Sequence, residues 1–178
     1  MSTPVTLAVV GAGSRGSGYA RFARELPERA RVVAVAEPRD VYRQRLADQH
    51  EIPANQVFDD WVDLAAAPKL ADAVLICTQD AMHVEPAVAL AEAGYHILLE
   101  KPMAPDEAGC RQIVDAIEKA GVLFAVAHVS RYTTFSQRLK GMLDEGLIGD
   151  VVSLQRLEPV GYWHQAHSFV RGNWRNET

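Results

Sequence analysis

The sequence predicts an α/β fold with a doubly wound parallel sheet, and three observations lead to this prediction. Short apolar runs rich in Val, Ile and Leu alternate along the chain with stretches whose apolar residues recur at helical spacing. The apolar runs lack polar alternation, as expected for strands that are buried on both faces. A glycine-rich loop stands between the first strand and the first helix.

The predicted elements alternate along most of the chain. Strands are predicted at Val5–Val10, 32–36, Val57–Phe58, 73–77, His96–Leu99 and 122–126. Helices are predicted after the glycine loop as far as Pro27, at Asp40–His50, at 60–66, from Val84 to Gly94, from Pro105 to Gly121, and from Phe135 to Gly146. Residues 151–157 could form one further strand.

Composition excludes several classes of function. The chain has 178 residues and a formal net charge of -5. A mildly acidic chain does not offer the basic surface that nucleic acids or anionic lipids require. The first residues lack the features of a signal peptide, and no apolar run approaches the length of a membrane span. We therefore expect a cytoplasmic protein without nucleic-acid or membrane partners, in which Cys77 and Cys110 are packed, reduced thiols.

The glycine loop has the sequence GAGSRG at residues 11–16. Gly11 permits a tight turn, Gly13 lets the backbone approach a pyrophosphate, and Gly16 allows close packing of helix on strand. The N-terminus of the following helix attracts the anion. In the order strand, loop, helix, this motif predicts a Rossmann-type dinucleotide site.

Glu37 gives the second indication of a dinucleotide site. It ends the second predicted strand, about twenty residues after the loop, where an acid accepts hydrogen bonds from the adenosine ribose. A carboxylate there favours NAD, although Arg15 and Arg39 could stack on adenine or pair with a 2′-phosphate, which keeps NADP open. Methyltransferases use a similar loop and acid, so these two features alone do not separate the classes.

The turn Glu100-Lys101-Pro102 follows a buried strand at the edge of the sheet where ligands bind. Pro102 restricts Lys101 to an extended backbone, so its side chain has a defined direction. Lys101 could donate to a substrate hydroxyl or take part in proton transfer, and it is the best catalytic candidate. The alternative is an ordinary surface pair of Glu and Lys.

Five features in this order resemble the Gfo/Idh/MocA family, which includes glucose–fructose oxidoreductase and inositol dehydrogenase. They are GAGSRG at 11–16, the acid Glu37, TQDAMH at 78–83, EKP at 100–102 and SRY at 130–132. The resemblance runs from about residue 5 to about residue 152, and the EKP turn is its most specific mark. It implies an oxidoreductase of sugars, polyols or related hydroxyl compounds, with NAD as cofactor, NADP possible, and a homo-oligomer in the full-length protein.

The resemblance also implies roles for individual residues. The pyrophosphate would be lined by Gly11, Gly13, Ser14, Arg15 and Gly16. Glu37 would hold the ribose, and Thr78 and His83 match a segment that passes beside the cofactor. Glu100 and Lys101 would reach the nicotinamide end, where Lys101 would also touch substrate. Arg131 matches an arginine that often faces the cofactor carboxamide.

The resemblance predicts a division into parts. Residues 1–130 would form the Rossmann domain, 131–149 a connecting helix, and 150–178 the start of a truncated α+β substrate domain. Family enzymes carry an Asp-x-x-x-His pair in that second domain, and no such pair follows Val151. We therefore expect this chain alone to bind a dinucleotide with little turnover.

The last segment is rich in Trp, His and Arg, which recognise sugars by stacking and hydrogen bonding. The substrate candidates are Trp163, His164, His167, Arg171 and Trp174. The alternative is a structural loop whose aromatic residues pack on another domain, which predicts an exposed patch that includes Tyr162, Trp163, Phe169 and Trp174. Two histidines do not complete a metal site, so no metal is predicted.

Three functions stay open at this point. The first is the cofactor-binding part of a NAD(P)-dependent oxidoreductase. The second is a NAD-dependent glycosidase that oxidises its sugar transiently. The third is a non-enzymatic protein that senses a dinucleotide or regulates a partner.

Overall fold

The computed structural model describes residues 3–171, with the backbone alone at residue 171. The strands are β1 (Val5–Val10), β2 (Ala30–Ala36), β3 (Val57–Phe58), β4 (Ala73–Ile76), β5 (His96–Leu99) and β6 (Phe124–Val126). The helices are α1 (Ser14–Glu25), α2 (Asp40–His50), α3 (Trp61–Ala66), α4 (Val84–Glu92), α5 (Glu107–Ala120), α6 (Thr134–Asp144) and α7 (Tyr162–Gln165). Single 3₁₀ turns cover Ala54–Gln56, Asp80–Met82 and Val129–Tyr132, and a π-helical turn covers Ala166–Arg171.

The six strands form one sheet in the order β3-β2-β1-β4-β5-β6, and all five pairings are parallel. The predicted α/β fold with a doubly wound parallel sheet is confirmed. The chain starts in the middle of the sheet, builds outward through β2 and β3, and then returns to β4 on the other side of β1. Such a reversal opens a crevice at the carboxyl ends of the two central strands.

The sheet separates two apolar cores, because successive strand residues point to opposite faces. On β1, Val9 packs on one face, while Ala8 and Val10 pack on the other. The first face is covered by α1 and α2 through Ala20, Ala23, Leu46 and Ala47. The opposite face is covered by α3, α4 and α5 through Leu64, Ala87, Leu90, Ala91, Ile113 and Ala116.

Helix α5 begins two residues later than the sequence predicted. Pro105 was predicted to open it, but the first helical residue is Glu107. Asp106 is the N-cap, and its Oδ1 accepts a hydrogen bond from Gly109 N at 2.8 Å. A side-chain acceptor at this position satisfies a first-turn N–H that a proline ring cannot satisfy. Gly121 ends the helix with φ at 64°, as predicted.

The described residues up to Ser130 form one compact unit, and a second unit begins at Arg131. Within the second unit, α6 begins after Thr133, whose Oγ1 accepts from Ser136 N at 3.2 Å. The prediction of a further strand at 151–157 is wrong, because these residues are exposed and form no strand. A strand requires a hydrogen-bonded neighbour, and this segment pairs with none of the residues that the structure describes.

The aromatic residues of the last segment are exposed, as predicted for Tyr162, Trp163 and Phe169. Trp174 lies outside the described residues. Between residues 3 and 171, no helix combines the length and the apolar character that crossing a membrane requires.

Candidate active site

The glycine loop joins β1 to α1 at the carboxyl edge of the sheet. Gly11 has φ at 89°, and a Cβ there would lie 2.7 Å from the carbonyl oxygen of Cys77. A Cβ at Gly16 would collide with the Gly11 carbonyl oxygen and lie 3.1 Å from Val9 Cγ1. Packing inside the protein therefore requires glycine at both positions. Gly11 permits the tight turn, and Gly16 permits the close packing of helix on strand.

Gly13 differs from the other two glycines. Its φ is -67°, which any residue adopts, and outside its chain neighbours and its own helix backbone, the one atom of residues 3–171 that a Cβ there would approach within 4 Å is Arg39 Nη2, at 3.4 Å. It is the N-cap of α1, has no side chain to accept from the first turn, and is followed by a first turn without acids. The first N–H groups of a helix have no acceptor within the helix. The space over Gly13 and these donors together suit an anion.

Ser14 and Arg15 follow in the first turn of α1, and both are exposed. Arg15 Nε lies 3.9 Å from Glu100 Oε1, so its guanidinium is directed toward the turn after β5. The predicted pyrophosphate residues therefore occupy one helix N-terminus at the crevice.

Glu37 follows β2 and is 2 % exposed. Its Oε2 accepts from Ala12 N–H at 2.8 Å and from Arg39 Nη2 at 3.1 Å, and its Oε1 accepts from Arg39 N–H at 3.0 Å and Nε at 2.7 Å. Burial acts to raise the pKa of Glu37, but the hydrogen bonds and charge of Arg39, with the Ala12 N–H, outweigh it and hold that pKa below its ordinary value. Glu37 is therefore a carboxylate beside the glycine loop, as predicted, and it is already paired.

Arg39 is held by this carboxylate and by a ring. Its Cζ lies 4.1 Å from the centroid of Tyr42, and hydrogen bonding to Glu37 raises the pKa of the guanidinium. Sequence reasoning named Arg39 as a possible cofactor contact but missed its partner Tyr42. The spacing of three residues at the start of a helix was the signal that could have indicated this contact.

Glu100 follows β5 and points into the protein, with its side chain 8 % exposed. Its Oε1 accepts from Tyr19 Oη at 2.5 Å, and its Oε2 accepts from Lys101 N–H at 2.8 Å. Burial, together with the hydrogen bond to Glu100 and its charge, raises the pKa of Tyr19 to about 12. The prediction that Glu100 reaches the nicotinamide end stays untested, and the contacts observed here are internal.

Sequence reasoning did not single out Tyr19 as a site residue. No sequence signal could connect it with Glu100, because 81 residues separate the two. Cys77 lies near the same carboxylate. Burial and that charge raise the pKa of its thiol to about 12, which suits the packed, unreactive thiol that the sequence predicted.

Lys101 is exposed, and the bond to Pro102 is cis. The backbone N–H of Lys101 donates to the Glu100 side chain. This hydrogen bond within the turn holds Lys101 at the edge of the crevice. Its side chain is accessible to a ligand, as its predicted catalytic role requires.

His83 is fully buried, and both ring nitrogens face backbone carbonyls. Nδ1 lies 2.8 Å from Pro102 O, and Nε2 lies 3.2 Å from Thr78 O. The ring has no exposed surface, and the predicted place of His83 in a segment beside the cofactor stays a prediction. The side chain connects the turn after β4 with the turn after β5. Thr78 is half-buried, and its hydroxyl donates to Met82 O at 3.1 Å within the same turn.

The remaining predicted residues belong to the second unit. Arg131 is exposed in the turn Val129–Tyr132, and Trp163, His164 and His167 are exposed in the last described segment. Of Arg171 only the backbone is described. Their predicted contacts with cofactor or substrate stay predictions. Within residues 3–171, no group of three His, Cys, Asp or Glu side chains is arranged to hold a metal ion.

Comparison with known proteins decides the family. Residues 5–128 match the family model GFO_IDH_MocA, described as an oxidoreductase family with an NAD-binding Rossmann fold. The chain belongs to this family. The matched residues contain the glycine loop, Glu37, the turn after β4 and the EKP turn, so the resemblance stated from the motifs is confirmed.

Curated Gfo/Idh/MocA relatives carry more than one activity. The chain is 34 % identical over 152 residues to an inositol 2-dehydrogenase of Klebsiella pneumoniae (strain 342), covering 84 % of this chain and 44 % of the relative. It is 28 % identical over 149 residues to a 2,7-anhydro-N-acetylneuraminate hydratase of Escherichia coli (strain K12), covering 84 % and 38 %. The chain thus spans less than half the length of these relatives.

Solved structures of the family share the fold. The WlbA dehydrogenase from Bordetella pertussis, in complex with NADH and UDP-GlcNAcA, has a TM-score of 0.76 at 25 % identity, covering 82 % of this chain and 43 % of that one. The scyllo-inositol dehydrogenase from Lactobacillus casei, with NAD(H) and scyllo-inositol, has a TM-score of 0.77 at 21 % identity, covering 83 % and 43 %. The second likeness shows the fold alone.

Proposed function

We propose that residues 5–130 bind a nicotinamide dinucleotide at the carboxyl edge of the sheet, and that this chain is the cofactor-binding part of an oxidoreductase of sugar or polyol hydroxyls. The observation that carries the first part is Gly13. Its backbone conformation does not require glycine, and in the described part of the chain a Cβ there would approach no backbone atom within 4 Å outside its chain neighbours and its own helix. Space kept beside an uncapped helix N-terminus is what a pyrophosphate needs.

The neighbouring residues fit the rest of the dinucleotide. First-turn N–H groups of α1 and the exposed Arg15 would hold the pyrophosphate. Glu37 lies one hydrogen bond from the loop, through Ala12 N–H, where it would hold the adenosine ribose. When bound, the nicotinamide supplies a hydride acceptor or donor. Lys101 would donate to a substrate hydroxyl or assist its proton transfer.

The substrate class comes from the relatives. Inositol 2-dehydrogenases are named for a polyol, and the Bordetella WlbA structure contains a UDP-sugar. We propose that Arg131 and the exposed Trp163, His164 and His167, with Arg171 and Trp174, serve the nicotinamide and substrate ends. We also propose that 131–149 connect the Rossmann domain to a second domain that begins at 150–178. The boundary between the two compact units, at Ser130 and Arg131, supports this division.

The experiment compares Gly13→Ala with Gly18→Ala by NADH fluorescence titration. A methyl group at Gly13 intrudes where the pyrophosphate approaches, so we expect the Kd for NADH to rise about tenfold or more, or roughly 1.4 kcal/mol. Gly18 lies in the same helix with nothing within 4 Å of a Cβ, so Gly18→Ala is expected to bind as the natural chain does. Thermal unfolding should show that both variants stay folded.

Two results contradict the proposal. One is the absence of NADH and NADPH binding to the natural chain at millimolar concentration. The other is equal affinity of Gly13→Ala and Gly18→Ala. Gly16→Ala provides a contrast, because its Cβ collides with the Gly11 carbonyl and should destabilise the fold itself.

A second candidate function keeps the cofactor and changes the reaction. The relatives named 2,7-anhydro-N-acetylneuraminate hydratase, at 28 % and 30 % identity, indicate that the family includes reactions other than net dehydrogenation. Release of nitrophenol from nitrophenyl glycosides, dependent on NAD but without net NADH formation, would favour this candidate. NADH formation in step with polyol consumption would favour the dehydrogenase.

A further inference from the structure

A basic cleft lies between α1 and α2, on the side of the molecule that these two helices cover. Its volume is about 310 Å³, and it is lined by Ser17, Gly18, Arg21, Arg24, Arg45 and Gln49. Three of these residues carry a guanidinium group, and within residues 3–171 no acid lines the cleft. The whole chain has a formal net charge of -5, so this local excess of positive charge is not a general property of its surface.

The cleft extends away from the crevice at which we propose the dinucleotide site. Helices α1 and α2 both begin at the carboxyl edge of the sheet and run back toward the opposite edge, because each connects two parallel strands. Arg21 and Arg24 belong to the last two turns of α1, and Arg45 and Gln49 belong to the second half of α2. The guanidinium groups of the cleft therefore follow the helices rather than the glycine loop.

The positive charge of the cleft is only partly neutralised by the chain. Arg21 pairs with Glu25 at 3.2 Å, whereas Arg24 and Arg45 form no ion pair with any residue between 3 and 171. Burial and the charge of Arg24 lower the pKa of His50, at the end of α2. The dipole of α1 favours Arg24 in its last turn, but it does not account for Arg45 in the middle of α2. Like charges that line one cleft repel each other, so a bound anion would stabilise this arrangement.

Gly18 is an independent indication that the cleft holds a ligand. It lies inside α1, where glycine weakens a helix relative to alanine. Outside its chain neighbours and the backbone of its own helix, no atom of the described residues lies within 4 Å of a Cβ built there. Packing within the described chain therefore does not require glycine at this position. The missing side chain keeps the cleft open beside the guanidinium groups.

We propose that this cleft binds a phosphorylated small molecule, with Arg24 and Arg45 as its main contacts and Arg21 and Gln49 as further donors. A guanidinium presents a planar fork of N–H donors that fits two phosphate oxygens at once. A phosphate group has three terminal oxygens and can accept from donors on two helices, whereas a carboxylate has two oxygens in one plane. The cleft has the size of a small-ligand site, for which about 300–1,000 Å³ is typical. The inference does not depend on the proposed dinucleotide site.

The experiment measures the binding of inorganic pyrophosphate and of citrate to the 178-residue chain by isothermal titration calorimetry at constant ionic strength. We expect saturable binding of pyrophosphate, with a Kd in the millimolar range or below, and weaker binding of citrate, which carries its charge on carboxylates. The titration is repeated with saturating NADH, because Ser17 brings one end of the cleft near the glycine loop, where its Oγ donates to Ala12 O at 2.9 Å. Binding in the cleft should persist when NADH is present.

Variants of the lining residues test the assignment. Arg24→Ala and Arg45→Ala should each raise the Kd of pyrophosphate about threefold to tenfold, because a charged donor is lost at a partly screened position. Arg24→Lys and Arg45→Lys keep the charge without the fork and should lose part of that affinity. Gly18→Gln places an uncharged side chain in the cleft, so it should weaken binding while the unfolding temperature is unchanged or higher, since glutamine favours a helix.

Arg111→Ala is the matched control. Arg111 is an exposed arginine of α5, on the opposite side of the sheet, and its Nη2 lies 2.6 Å from Glu107 Oε1. Its removal changes the net charge by the same amount and should leave the Kd of pyrophosphate unchanged.

Three results overturn the inference: no pyrophosphate binding at millimolar concentration, tighter binding of citrate than of pyrophosphate, or the same loss of affinity in Arg111→Ala as in Arg24→Ala. Complete loss of pyrophosphate binding in the presence of NADH also overturns it, because the anion would then occupy the glycine loop. The proposed function survives all of these results, since it is tested by NADH binding and by Gly13→Ala. If an alanine variant does not fold, the lysine variants and Gly18→Gln decide: weaker pyrophosphate binding supports the cleft, and unchanged binding overturns it.

Discussion

At the scale of single residues, the side chains around the crevice bond mainly to one another. Glu37, Glu100 and His83 are the buried polar side chains of the described chain, and each joins segments that are distant in sequence. Glu37 connects the glycine loop with the start of α2, and Glu100 connects α1 with the turn after β5. Buried polar groups are stable only when they are hydrogen-bonded, so these pairs define the crevice.

Glu37 should make stability depend on pH. Its pKa is held below its ordinary value in the folded chain, so the stability it contributes is present above the unfolded pKa of about 4.3 and is lost as pH falls through the lower, folded pKa. We expect Glu37→Gln to lower the free energy of unfolding by about 1–3 kcal/mol at pH 7, with a smaller difference at pH 3.

Urea unfolding at pH 7, 5, 4 and 3 measures this difference. Hydrogen bonds from Thr6 also lower the pKa of Asp72. Because Asp72 is present in both proteins, its contribution to the pH dependence of stability cancels in the comparison. A difference between the two proteins that stays constant from pH 7 to pH 3 would rule out a role for Glu37 ionisation.

His83 should matter for stability more than an exposed histidine does. His83→Ala removes the ring whose nitrogens face the backbone carbonyls of Thr78 and Pro102. It also opens a cavity between the two turns. We expect a loss of about 2–4 kcal/mol in the free energy of unfolding. His128→Ala, at an exposed histidine after β6, should change it by less than about 0.5 kcal/mol. Similar losses in the two variants would contradict the connecting role of His83.

At the scale of elements, local sequence signals determined most helix ends. Asp106 caps α5 through Gly109 N, and Gly121 ends it. We expect Asp106→Ala to lower the free energy of unfolding by about 1 kcal/mol and Asp106→Asn to retain most of that stability, because an amide oxygen also accepts from the first turn. Chemical denaturation followed by circular dichroism measures both variants. An equal loss in both would show that the side-chain oxygen is not what stabilises the helix.

The packing of α5 on α4 could not be predicted from local sequence. A Cβ at Gly109 would lie 2.9 Å from Val84 Cγ2 and 3.0 Å from Ala104 Cβ. Sequence reasoning did not single out Gly109, because a glycine inside a helix carries no local signal of what packs on it. The strand predicted at 151–157 failed for a related reason. Its apolar pattern suits a strand, but a strand exists only with a partner that local sequence does not specify.

At the scale of the whole molecule, the strand order places the site. The chain leaves β1 toward β2 on one side and returns to β4 on the other, so the loops after β1, β2, β4 and β5 meet at one edge. The predicted residues of the first unit come from these four loops and from the α1 and α2 turns that follow β1 and β2. The match of residues 5–128 to the family model decides the family, and this strand order brings the residues of the proposed dinucleotide site to one edge of the sheet.

The sequence by itself determined the alternation of strands and helices, the glycine loop, the acid after β2 and the EKP turn. These features depend on local spacing, on backbone restriction by Gly and Pro, and on apolar periodicity, which are properties of short segments. Only the tertiary structure decided that Arg39 covers Glu37, that Tyr19 bonds Glu100, and that His83 is buried between two turns. These contacts join residues whose proximity depends on how the sheet is ordered, and side-chain direction at a crevice depends on all the elements that meet there.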